Sequence, residues 1–119
     1  MTRLQRPEFT ADGYPTEQTL QAIREWPIFE TGLRPLLEFM QKAWKYQDYA
    51  RERDGLWTFS TGGWSGNEEL IAALDTLPWR GLAWDVAQFN GGHYAIAVTK
   101  EAEVVFRNAR EVFWAVLEA

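Results

Sequence analysis

The sequence predicts one small α+β domain, in which helices pack against a three-stranded, largely antiparallel sheet. The chain has 119 residues, close to the commonest size of a single domain. It is 46% hydrophobic, enough for a packed core. Its apolar residues recur with a helical period in some segments and alternate in others. We expect the element order α-α-β-α-β-β-α, with residues 1–14 as an irregular arm and 15–119 as the domain.

Three helices are predicted from apolar stripes that precede the final segment. Thr16 is a suitable N-cap for a first helix that extends to about Glu25. Pro35 fits the first turn of the second helix. A third helix should start near Asn67, because Ser65 and Glu68 have the spacing of a capping box. The stripes are formed by Leu20, Ala22 and Ile23; by Leu33, Leu36, Leu37, Met40, Ala43 and Trp44; and by Leu70, Ile71 and Leu74.

The strands are predicted from β-branched and aromatic residues and from alternation. Residues 56–61 form the first strand. Residues 82–87 alternate, and Asn90-Gly91 indicates a type I′ turn into a returning strand with Tyr94, Ile96 and Val98. A mixed sheet is compatible with this order. Residues 42–54 interleave two tyrosines with basic residues, a composition that can bind single-stranded nucleic acid; these are Tyr46, Tyr49, Lys42, Lys45, Arg51 and Arg53. Because the charges of this segment cancel, we interpret it as the solvated end of the second helix, which stops at Asp54-Gly55.

The C-terminal segment has the longest helical stripe. It predicts a final helix, but Val104–Phe106 also fits a short strand, so the structure of residues 101–106 stays open. Trp114 lies off the stripe. A tryptophan in that position favours contact with another molecule, and a homodimer through this helix would be compatible. The stripe consists of Ala102, Val105, Phe106, Ala109, Val112, Phe113, Val116 and Leu117.

Composition restricts the classes of function. The net charge is −5, and residues 55–119 carry four Lys and Arg against eight Asp and Glu. Direct nucleic-acid binding is therefore disfavoured, whereas an acidic surface could bind a basic partner. The lack of cysteine excludes disulfides and Cys-ligated metals. Neither a secretory signal nor a membrane span is expected, so a cytoplasmic location is predicted. No cofactor is expected.

The loop between the first strand and the third helix is the main candidate site. Trp64, Ser65, Asn67, Glu68 and Glu69 are its candidate ligand- or partner-binding residues. Glycine-rich strand-to-helix loops often bind anions at the helix N-terminus. This loop has no P-loop lysine, however, and the two glutamates would repel phosphate. A capped helix start, with glycines that permit a sharp turn, explains the same residues.

His93 is the only histidine and a further candidate for binding. With Ser60 or Ser65 and with Asp85 it could complete a Ser-His-Asp set. Ser65 does not lie in a G-x-S-x-G motif, and a strand-start histidine packed beside a turn is the commoner case. His93, Ser65 and Glu68 are therefore weak catalytic candidates. No metal site is expected, because one histidine leaves only carboxylates as further ligands.

The seven tryptophans are unusual in a chain of this length. Trp44 and Trp84 fall on predicted buried faces. Trp26, Trp64 and Trp79 flank a proline or a glycine in loops. Such rings either cover the ends of a small core or, if exposed together, form a partner surface.

The motifs resemble those of a group of short, uncharacterised bacterial and phage or prophage proteins. The resemblance rests on Tyr14-Pro15-Thr16-Glu17, on Gly62-Gly63-Trp64-Ser65-Gly66-Asn67-Glu68-Glu69-Leu70-Ile71 and on Gly91-Gly92-His93-Tyr94. It covers about residues 14–98. It implies a bacterial or phage setting and no particular mechanism.

Two functions remain from these observations. The first is a non-catalytic interaction module, such as a phage or mobile-element inhibitor that binds a host protein through an acidic, tryptophan-bearing surface. The alternative is a small-molecule-binding or hydrolytic domain whose site is the loop from Gly62 to Glu69.

Overall fold

The structure, a computed structural model, describes residues 6–101 and confirms a mixed α/β fold. Two single turns of 3₁₀-helix, Gln47–Tyr49 and Trp79–Leu82, connect its regular elements. The predicted C-terminal helix, Trp114 and most of the open segment 101–106 lie outside the described residues. The helices are α1 (Glu17–Arg24), α2 (Ile28–Thr31), α3 (Leu33–Ala43) and α4 (Ser65–Leu74), and the strands are β1 (Ala50–Arg53), β2 (Leu56–Ser60), β3 (Asp85–Phe89) and β4 (His93–Ala97).

The sheet has four strands, in the order β1-β2-β4-β3, and every pair is antiparallel. The prediction of three strands was wrong because β1 had been assigned to a helix end. Asp54 and Gly55 have φ values of 54° and 88°, and Arg53 pairs with Leu56. They therefore form a two-residue hairpin turn rather than a helix stop. The strand β1 was missed because it lies at a sheet edge, where only Ala50 is buried and no alternation is visible.

The second hairpin also differs from its prediction. Phe89 pairs with His93, which leaves three residues in the loop, and the positive φ values fall on Gly91 and Gly92. The predicted two-residue turn at Asn90-Gly91 was therefore one residue too short. The strand before it starts at Asp85, not near residue 82, because the preceding segment forms a 3₁₀ turn.

The core lies between the helices and one face of the sheet. Thr16 caps α1 as predicted, its side chain accepting a hydrogen bond from the Thr19 N–H at 3.2 Å. The apolar stripes predicted for the helices now labelled α1, α3 and α4 are buried. The sheet contributes its inward side chains. These are Ala50, Trp57, Phe59 and Ile96, with Val86 and Tyr94 partly buried beside them.

Most of the described tryptophans belong to this core. Trp26, Trp44, Trp57 and Trp79 are each at most 6% exposed. Burial of Trp84 was predicted and is wrong, because this residue precedes β3 and its side chain is 59% exposed. Covering the ends of the core therefore explains the loop residues Trp26 and Trp79.

The N-terminal arm is held against α1 by one buried side chain. Thr19 is fully buried, and its Oγ1 accepts from the Glu8 N–H at 2.7 Å and donates to the Glu8 carbonyl at 2.9 Å. The arm then brings Tyr14 to the loop that precedes α4. Among residues 6–101, no helix has the length and apolar character needed to cross a membrane.

Candidate functional site

The loop between β2 and α4 is closed by backbone hydrogen bonds. The Trp64 N–H donates to the Thr61 carbonyl at 3.1 Å, and the Thr61 N–H donates to the Gly92 carbonyl at 3.0 Å. Gly62 and Gly63 have φ values of 63° and 74°, a backbone region that residues other than glycine rarely adopt. The loop and the β3–β4 turn consequently form one continuous edge of the molecule.

Asn67 joins this loop to the chain that follows α3. Its side chain is fully buried. Its Oδ1 accepts from the Lys45 N–H at 3.0 Å, and its Nδ2 donates to the carbonyls of Lys45 at 3.0 Å and Thr61 at 3.2 Å. These three bonds fix the position of Lys45 and of the residues after it. Asn67, a candidate ligand-binding residue, thus has its side chain occupied by the protein backbone.

Five side chains meet at this edge, and we call them the aromatic surface: Tyr14, Lys45, Tyr46, Tyr49 and Trp64. The half-buried Trp64 ring lies over Gly66, where a Cβ atom would overlap it. The Tyr14 ring packs beside it at 4.8 Å between centroids. The ammonium of Lys45 lies 4.6 Å from the centroid of the Trp64 ring, close enough for a cation–π interaction.

Tyr46 and Tyr49 form the exposed half of the aromatic surface. They are 52% and 48% exposed, and their ring centroids are 5.7 Å apart. Gly62 lies against the Tyr49 ring, and a Cβ atom there would come within 3.1 Å of it. Tyr46 has a φ of 65°, a left-handed conformation that is a genuine outlier for a bulky residue. Such strain persists where surrounding contacts impose it, and it is enriched at functional sites.

His93 contacts Ser60, one of its two predicted serine partners. The Ser60 Oγ and His93 Nδ1 atoms are 2.7 Å apart, and the two residues are paired across β2 and β4. The Ser60 carbonyl accepts from Trp44 Nε1 at 2.8 Å, which fixes the end of β2. Asp85 pairs with Ala97 at the other end of β4, roughly 13 Å along the strand from His93. The proposed triad with Asp85 is therefore excluded.

The other predicted residues occupy the first turn of α4. The expected Ser65–Glu68 capping box is absent, because Trp64 is the N-cap and α4 starts at Ser65, two residues earlier than predicted. The Ser65 Oγ lies 3.2 Å from the Tyr14 hydroxyl instead. Glu68 and Glu69 are exposed, and within residues 6–101 neither side chain forms an ion pair or a hydrogen bond.

A cavity lies near the C-terminal end of α4. It is an open cavity of about 420 Å³, lined by Asp75, Trp79, Arg80 and their neighbours. Trp79 Nε1 donates to Asp75 at 3.1 Å, and the Arg80 guanidinium lies over the Trp79 ring. Burial raises the pKa of nearby Tyr94, and the carboxylate of Asp75 adds to that effect. The polar groups of Asp75, Trp79 and Arg80 therefore interact with one another inside this cavity.

Sequence reasoning missed most of the aromatic surface. The signal was present as tyrosines and basic residues interleaved over residues 42–54, but it was interpreted as a solvated helix end. Tyr14 lies about fifty residues before Trp64 in the chain, so only the docked arm brings the two rings together.

The comparisons with known proteins return no match: no family, no curated protein and no solved structure resembles the chain significantly. In the part of the chain that the structure describes, no group of three or more His, Asp or Glu residues is placed to hold a metal ion.

Proposed function

We propose that this chain is a non-catalytic protein-interaction module that binds its partner through the aromatic surface. One observation carries the proposal. Among residues 6–101, four tryptophans are buried in the core, whereas Trp64 and Tyr46 flank Lys45 at one edge, with Tyr14 packed against Trp64 and Tyr49 against Tyr46. Tyrosine and tryptophan give large contact areas for little loss of conformational entropy, and they dominate binding hot spots.

The rigidity of this edge supports the proposal. The three hydrogen bonds of Asn67 fix the chain at Lys45, and Tyr46 is held in a strained conformation directly after it. Core packing does not require a tyrosine at position 46, since its ring is half exposed. A preorganised surface binds more tightly because less freedom is lost on association.

A capture experiment with matched variants tests this function. The tagged chain is used to isolate partners from bacterial lysate treated with nuclease, with mass spectrometry as the readout. Tyr49→Ala and Trp64→Ala are expected to abolish capture of a stoichiometric partner. Trp84→Ala is the control, because Trp84 is also exposed but lies at the opposite end of β4. Partner capture that survives both aromatic variants would contradict the proposal.

The contact between Ser60 and His93 supports a second candidate, a hydrolytic site at the same edge. A serine hydroxyl hydrogen-bonded to an imidazole is the minimal activated nucleophile. Hydrolysis of p-nitrophenyl acetate by the purified chain, lost in Ser60→Ala and in His93→Gln, would support it. Equal rates for all three proteins would eliminate this candidate.

Several expectations remain predictions alongside these proposals. An acidic contact surface would include Glu68 and Glu69, which border the aromatic surface in the sequence. Four further predictions are untested: contact through Trp114, a homodimer, a cytoplasmic location, and a phage or mobile-element setting. A partner that binds nucleic acid would fit the acidic second half of the chain, because carboxylates compete with phosphate.

A further inference from the structure

We propose that the aromatic surface binds a proline-rich segment in the polyproline II conformation. This inference rests on the proposed interaction function and specifies the partner's chemistry. It follows from which polar groups the surface offers and from how its rings are arranged.

The side chains of the aromatic surface offer hydrogen-bond donors. Trp64 Nε1 and the hydroxyls of Tyr46 and Tyr49 have no hydrogen-bond partner among residues 6–101, although each can donate. The Lys45 ammonium, exposed between rings, supplies further donors. A complementary ligand must therefore bring acceptors.

A polyproline II segment meets that requirement better than other peptide conformations. It has no internal hydrogen bonds, so its carbonyl groups remain available as acceptors. Proline lacks an N–H, so few donors need partners on this surface. A helical peptide would have most of its carbonyls occupied, and a strand added at the edge strand β1 would pair with the backbone of β1 and not with these side chains. Proline rings also pack flat against aromatic faces.

The distance between the rings is short enough for the same ligand to span. The Lys45 ammonium lies 4.6 Å from the Trp64 centroid and 5.6 Å from the Tyr46 centroid, so these rings are at most about 10 Å apart. Three residues of polyproline II span roughly 9 Å, which places every third residue on one face. The rings of Tyr46 and Tyr49 are tilted by 49°, and those of Tyr14 and Trp64 by 40°. Proline-rich segments in this conformation are recognised by surfaces lined with aromatic side chains.

A random dodecapeptide display library, selected against the full-length chain, tests the inference. We expect the selected pool to be enriched in prolines three residues apart. A synthetic peptide from that pool should bind the Tyr46→Phe/Tyr49→Phe double variant about tenfold more weakly in calorimetry, because both hydroxyl donors are lost while the rings remain. Trp84→Ala should bind it like the parent chain. Far-ultraviolet circular dichroism verifies that each variant is folded.

The outcomes separate this inference from the function on which it rests. A pool without proline enrichment, or a proline-rich peptide that binds the double variant as tightly as the parent, overturns the inference. Either result leaves intact the capture of a folded partner that depends on Tyr49 and Trp64. If the Tyr49→Ala and Trp64→Ala variants capture the partner as well as the parent chain does, the proposed function fails too.

Discussion

Asn67→Ala is expected to destabilise the fold by about 3 kcal/mol, and the estimate follows from three hydrogen bonds. The substitution leaves the Lys45 N–H, the Lys45 carbonyl and the Thr61 carbonyl without their partner. Each lost bond in a buried setting is worth roughly 1 kcal/mol. The bond to the Thr61 carbonyl is buried and the two bonds to Lys45 are partly buried, so water has least access to the Thr61 carbonyl. Against a total of roughly 5–15 kcal/mol, this is a large fraction of the stability.

Urea unfolding, followed by tryptophan fluorescence, measures the effect. The midpoint should fall while the slope of the transition stays the same, since the surface exposed on unfolding is nearly unchanged. Asn90→Ala is the matched control, because Asn90 is exposed in the β3–β4 turn, and it should change stability by less than about 0.5 kcal/mol. A loss below about 1 kcal/mol for Asn67→Ala would refute the view that this amide holds the site together.

Three further substitutions test individual features. Gly66→Ala should displace the Trp64 ring and weaken partner capture, whereas Gly81→Ala, with open space at its Cβ, should not. Tyr46→Gly should leave the free energy of unfolding within about 1 kcal/mol of the parent, because relief of the left-handed conformation offsets the lost ring contact, yet it should remove binding in the capture assay. Burial raises the pKa of Tyr94 above its ordinary value of 10.0, so its stabilising effect is complete below that pH and is lost as pH rises through the folded pKa. Urea unfolding at pH 9 and pH 11 should therefore show a smaller loss of stability for Tyr94→Phe than for the parent; an equal loss would contradict the assignment.

Helices α1, α3 and α4 could be predicted because each carries a local signal, whereas the single turn α2 was not predicted. A cap at Thr16 and apolar residues at helical spacing lie within a few residues of one another, so neighbouring sequence alone determines them. Strand β1 carries no such signal. Its side chains after Ala50 are solvated, and it exists because β2 supplies its hydrogen-bond partners. Trp84 shows the opposite error. Its position in an alternating pattern predicted a buried strand residue, but it follows a 3₁₀ turn, precedes β3 and is exposed.

The sequence by itself determined the mixed α/β class, the helical stripes and the presence of a hairpin turn near Asn90-Gly91. It also singled out the loop from Gly62 to Glu69. Only the tertiary structure decided what surrounds that loop. Tyr14, Lys45 and Ser60 reach it from distant parts of the chain, through a docked arm, a buried amide and strand register. Contacts between such segments depend on packing that no local pattern encodes, so the aromatic surface became visible only in the folded chain.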